Sequence, residues 1–78
     1  MKPTLTYDAD KDILLIQHDK KKIQITGEVI RSLKDIHKLD AAAEFVSIFR
    51  AEATEMTDAE SCDLYTQLTQ HINANYSN

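Results

Sequence analysis

The sequence predicts an α+β domain, a three-stranded antiparallel β-meander followed by three α-helices packed on the sheet, in the order βββααα. Apart from the aliphatic run at residues 13–16, apolar residues alternate with polar ones as far as residue 26, and they recur at helical spacing from residue 27 onward. Aspartate- and lysine-bearing breaks divide the first part into strand-sized pieces, and a capping box at Thr57-Asp58-Ala59-Glu60 marks a helix start.

Leu5 and Tyr7 alternate with Thr4 and Thr6, the pattern of a short strand. Residues 8–12, DADKD, read as a turn, because aspartate side chains bond nearby backbone amides and disfavour a strand interior. Residues 13–17 are aliphatic and partly β-branched and predict the central strand. Residues 18–21 make a second turn and residues 22–26 a third strand. Carried through the meander, the two-residue period puts Leu5, Tyr7, Ile13, Leu15, Ile23 and Ile25 on one face. Leu14 and Ile16 then point the other way, toward a second cover or a partner.

Beyond Gly27, Val29, Ile30, Leu33, Ile36 and His37 follow helical spacing, with Thr26 as N-cap. Asp40 caps a second helix running to about residue 55. Its stripe is Ala42, Phe45, Val46, Phe49, Ala53 and Met56, with Ile48 on a flank. In the third helix the Thr57 hydroxyl accepts from the Glu60 amide while the Glu60 side chain reaches back to the Thr57 amide. Leu64, Tyr65, Leu68 and Ile72 form its stripe, and it frays over residues 73–78.

The 78 residues make one domain, 1–78, near the lower limit for a single core. With no Trp, two Phe and three Tyr, that core rests on Leu, Ile and Val, leaving little chain for the walls of a catalytic cleft. A non-enzymatic protein is therefore expected. Cys62 is the only cysteine, which excludes an intrachain disulfide and a cysteine-based zinc site. The opening residues lack a signal-peptide pattern and no run reaches membrane-spanning length, so a cytoplasmic protein with no membrane partner is expected. No cofactor motif is present. The net charge of −4 divides unevenly, +1 over residues 1–40 and −5 over residues 41–78.

Counted from Asp8, residues Asp10, Asp12 and Asp19 fall at positions three, five and twelve of a calcium loop. Ile13 stands where that loop needs glycine, and Asp19 where it needs a bidentate glutamate, so the cluster reads as a solvated hairpin turn. The stretch YDADKDILLI resembles the Tyr-Asp-x-x-x-Asp-x-Leu-x-Ile opening of some small bacterial β-hairpin domains, which implies a hairpin and no activity. His18, His37 and His71 lack metal-site spacing, although His37 and Asp40 are placed to meet at a helix junction. Cys62 and His71, nine residues apart, lie about 900° around a helix and so on opposite faces.

Two functional expectations follow. The first is a small acidic protein-binding module, an inhibitor or regulator that docks Glu52, Glu55, Asp58, Glu60 and Asp63 on a basic surface of a partner protein. Glu52 and Glu55 stand out because a helix's last turn disfavours anions. In size, charge and cysteine content the chain is similar to phage-encoded inhibitors of bacterial host or defence proteins. The alternative is a nucleic-acid-associated regulator with Lys20, Lys21 and Lys22 at a hairpin tip and Arg31, Lys34 and Lys38 along the first helix. A metal-dependent enzyme built on Asp8, Asp10 and Asp12 ranks third. The limited core and an apolar sheet face at Leu14 and Ile16 also favour a homodimer.

Overall fold

The structure, a computed structural model, describes residues 2–52 and 55–76. Three strands, β1 (Thr4–Asp8), β2 (Ile13–His18) and β3 (Lys21–Thr26), form one antiparallel sheet in the order β1-β2-β3. Helix α1 (Gly27–Arg31) runs directly into a π-helical turn (Ser32–Ile36), followed by α2 (Ala41–Glu52) and α3 (Asp58–Tyr76). The βββααα order expected from the sequence is the order observed.

Three helix starts form as their capping residues dictate. The Thr26 hydroxyl accepts from the Val29 amide at 3.3 Å, and the Asp40 carboxylate accepts from the Ala43 amide at 3.2 Å. At α3 both bonds of the capping box are present: Glu60 N–H to the Thr57 hydroxyl at 3.1 Å, and Thr57 N–H to the Glu60 carboxylate at 2.9 Å.

The sheet turns the opposite face of β2 to the core. Leu14 and Ile16 are buried, while Ile13 and Leu15 lie on the outer face among Thr6, Asp8, Gln24 and Thr26. The reason is loop parity. Asp8 pairs with Ile13 across four residues, and His18 with Lys21 across two, so each loop length is even. An even loop sets odd-numbered positions opposite even-numbered ones, and residues directly opposite share a face. Leu5 and Tyr7 thus meet Ile16 and Leu14, which in turn meet Ile23 and Ile25. Carrying one period through both turns reverses the central strand.

The first helix also departs from its expected stripe. Ile30 is buried and Leu33 partly so, but Val29 and Ile36 are 45% and 73% exposed, and His37 is exposed. The wider π turn shifts later side chains out of the 3.6-residue phase. Lys38 then takes a left-handed φ of 57°, and the Leu39 amide bonds the Leu33 carbonyl at 2.9 Å to close the segment.

In α2, Ala41, Ala42, Phe45 and Phe49 are buried and Val46 packs against them; Ala53, expected in this stripe, lies outside the described residues. Helix α2 ends at Glu52, so Glu55 occupies the connecting turn instead of the last helical turn. Helix α3 buries Ser61, Leu64, Leu68, Ile72 and Tyr76, whereas Tyr65 is exposed on the adjoining face. It does not fray over residues 73–76, because Tyr76 is a core residue and the Lys34 ammonium caps its carbonyl.

Gly27 is fixed by close approach. A Cβ there would stand 1.9 Å from an Asp12 carboxylate oxygen that is itself held by other bonds. Gly27→Ala is expected to lower stability by about 1–3 kcal/mol, the ordinary cost of overpacking. In an Asp12→Ala background the same change should be neutral or stabilising, so a double-mutant cycle by urea denaturation measures the coupling.

Candidate functional site

Polar side chains gather in two clusters, one at each end of β2. Asp12, at φ 54°, closes the β1–β2 turn. Its carbonyl accepts the Gly27 amide at 2.9 Å, and its carboxylate accepts from the Tyr7 hydroxyl at 2.8 Å, the Arg31 guanidinium at 2.9 Å and the Tyr76 hydroxyl. Arg31 also lies over the Tyr76 ring, 5.1 Å from its centroid. His71 stands edge-on to Tyr7 and Tyr76 at centroid distances of 4.5 and 5.8 Å.

Each group in this cluster has its charge state set by its neighbours. The hydroxyls of Tyr76 and Tyr7, with Arg31, keep the Asp12 carboxyl below its ordinary range, which makes it a poor base. Burial and the bond to Asp12 push the Tyr76 hydroxyl up, so it stays protonated as a donor. Burial lowers the His71 imidazole against the opposing pull of Asp12. This cluster ties the first turn, the start of α1 and the last residue of α3 together.

At the other end of β2, His18 is buried against Phe49 of α2 and its Nε2 lies 3.0 Å from the Glu60 carboxylate. An ionised carboxylate only accepts, so Nε2 carries the proton in this bond. The Thr57 amide, followed by His18, lowers the Glu60 carboxyl to about 2.

An open groove of about 660 Å³ runs between α2 and α3, lined by Ala43, Val46, Arg50, Cys62, Tyr65 and neighbouring residues. The Tyr65 hydroxyl donates to Asp40 at 2.6 Å, and this carboxylate raises its pKa. Arg50 pairs with Asp58 at the end of the groove nearest the helix connection.

Against this geometry the expected acidic site divides. Glu52 and Glu55 are exposed at the α2–α3 connection with no partner among the described residues. Asp58 is exposed but paired with Arg50, Asp63 accepts from Gln67 at 2.9 Å, and Glu60 belongs to the His18 cluster. The five carboxylates therefore do not form one continuous patch.

The basic set divides as well. Lys20, Lys21 and Lys22 are exposed at the β2–β3 hairpin. Arg31 and Lys34 instead hold Asp12 and the end of α3, and Lys38 sits beyond the helix in the closing turn. The expectation of one basic helix face through residues 31, 34 and 38 is corrected by the π turn. His37 and Asp40 do not meet through a side-chain bond; Asp40 serves Ala43 and Tyr65. The Asp8 carboxylate accepts the Asp10 and Lys11 amides at 3.1 and 3.3 Å, as turn chemistry requires. Among the described residues, no three His, Cys, Asp or Glu side chains are arranged to hold a metal ion, and no helix is long and apolar enough to cross a membrane.

Sequence reasoning missed Tyr76, although the spacing 64, 68, 72 continues to it. It also missed the His18–Glu60 bond, which spans 42 residues and leaves no local signal. No protein-family model, curated protein or solved structure matches the chain.

The depressed Glu60 carboxyl fixes the sign of an acid effect. A carboxyl lower in the folded state stabilises the fold above its unfolded pKa, near 4.5, and that stabilisation is lost as pH falls toward 2. Melting curves of wild type and Glu60→Gln are expected to differ most above pH 5, to approach each other as pH falls from about 4.5, and to converge near pH 2.

Proposed function

We propose that the chain is a small non-enzymatic protein-binding module that places its α2–α3 face on a basic surface of a partner protein and regulates the partner by occluding that surface. The observation that carries this reading is the acidic helix connection at one end of an open, mainly apolar groove. Glu52 and Glu55 offer unpartnered charge there. The Arg50–Asp58 pair beside them is 48% and 88% exposed at its side chains, so it contributes little stability and opens readily to a partner. Complementary charge accelerates encounter and selects the orientation, while Tyr65 and Val46 supply the apolar contact that slows release. The nucleic-acid alternative retains the hairpin lysines, but Arg31 and Lys34 are engaged within the fold.

The test is capture from nuclease-treated lysate by wild type and by Glu52→Lys/Glu55→Lys. A salt-sensitive protein retained by wild type should bind the variant about tenfold more weakly. The variant's melting temperature should be unchanged or slightly raised, because a cation in the last helical turn suits the dipole. Equal retention of the same protein by both, or retention of nucleic acid alone, overturns the proposal.

A further inference from the structure

β3 is an edge strand, and its free side adjoins a groove of about 270 Å³ lined by Ile23, Ile25, Val29, Phe45 and Ile48. Val29 and Ile48 are 45% and 51% exposed at this groove. The backbone register identifies the unpaired groups. Gly27 N–H bonds the Asp12 carbonyl, so the odd-numbered residues of β3 face β2 with their N–H and C=O groups. Lys22 and Gln24 consequently direct theirs away from the sheet, and Thr26 its N–H, its carbonyl being the first acceptor of α1.

We propose that this edge pairs antiparallel with the same edge of a second copy, about a two-fold axis through Gln24, to give a continuous six-stranded sheet. The inference is independent of the α2–α3 docking face. One register matches the side chains along this edge. With Gln24 opposite Gln24, Lys22 lies opposite Thr26, and Ile23 opposite Ile25 twice over on the helix-facing side. Antiparallel pairing also brings the hairpin end of each strand, with Lys20 beside it, toward the start of α1 in the other copy, which carries Glu28. Moving the axis to Ile23 places Ile25 opposite Lys21, and moving it to Ile25 extends pairing into helical Gly27 and Glu28. Parallel pairing sets lysine beside lysine. The charges that make this edge a poor template for general aggregation thus leave one self-complementary arrangement. The opposite edge lacks this property: Pro3 precedes β1, Asp8 ends it, and the adjoining turn carries Asp10 and Asp12.

Sedimentation equilibrium from micromolar to millimolar protein should show a monomer–dimer equilibrium. Gln24→Pro removes the outward N–H at the axis without a bond to β2 and should give monomer with an unchanged circular dichroism spectrum. Glu28→Lys should weaken the dimer about tenfold, and Lys20→Glu/Glu28→Lys should restore it. In a Cys62→Ser background, Gln24→Cys should form an intermolecular disulfide, since opposed hydrogen-bonded residues stand about 5.5 Å apart, and Thr6→Cys should not. Monomer throughout the concentration range, a dimer unaffected by both Gln24→Pro and Glu28→Lys, or equal cross-linking at positions 6 and 24 overturns the proposal.

Discussion

Asp12 is the residue on which the arrangement of the other elements rests. Its carbonyl fixes where α1 begins, and its carboxylate collects one donor from β1, one from α1 and one from the end of α3. Bonds to an ionised acceptor are shorter and stronger than neutral ones, and three of them converge here. At the far end of the same strand, His18 reaches Glu60 in the first turn of α3. β2 is therefore fastened to α3 at both ends, and the spans agree. About 20 Å of strand from residue 12 to 18 lies against about 24 Å of helix from residue 60 to 76. In a chain of 78 residues with a largely aliphatic core, packing alone leaves helix registry weakly defined, and paired polar anchors define it.

The anchors also sort the charged residues. Asp8 organises its turn, Asp12 the first cluster, Glu60 the second and Asp40 a helix start with a tyrosine bond. Arg31 and Lys34 answer the carboxylate and the helix end that would otherwise lack cations. The charges left over include the hairpin lysines, Glu28, Asp35, Glu44 and the glutamates at the α2–α3 connection. The sequence-wide charge asymmetry thus survives folding in a sharper form, with the hairpin basic and the helix connection acidic.

Local physics was legible in the sequence, and pairwise physics was not. Thr26, Asp40 and the Thr57–Glu60 box announce helix starts through bonds that span three residues, so the signal and its cause lie in the same window. The sheet face depended on the parity of two loops, which the two-residue period of a strand does not encode. The π turn, which leaves Ile36 exposed, lies where Arg31 and Lys34 bond partners 19 and 42 residues away, and no local pattern marks those bonds. Asp12 and Tyr76 are separated by 64 residues, and nothing beside either announces the other. The proposed docking face is partly legible for the same reason. Its acids are a local run, but their division among partners is set by the fold.

The even turns carry an evolutionary consequence. Either hairpin loop tolerates exchange of residues, provided Asp12 keeps its carboxylate and the left-handed position at Asp19 a side chain that accepts it. A single inserted or deleted codon in the first loop would present Ile13, Leu15 and Gln17 to the helices and carry Leu14, Ile16 and His18 into water, and one in the second would turn Ile23 and Ile25 outward in place of Lys22 and Gln24. Descendants of this chain are thereby confined to length changes in pairs within the meander, while the α2–α3 connection, free of that parity, is open to drift by single residues.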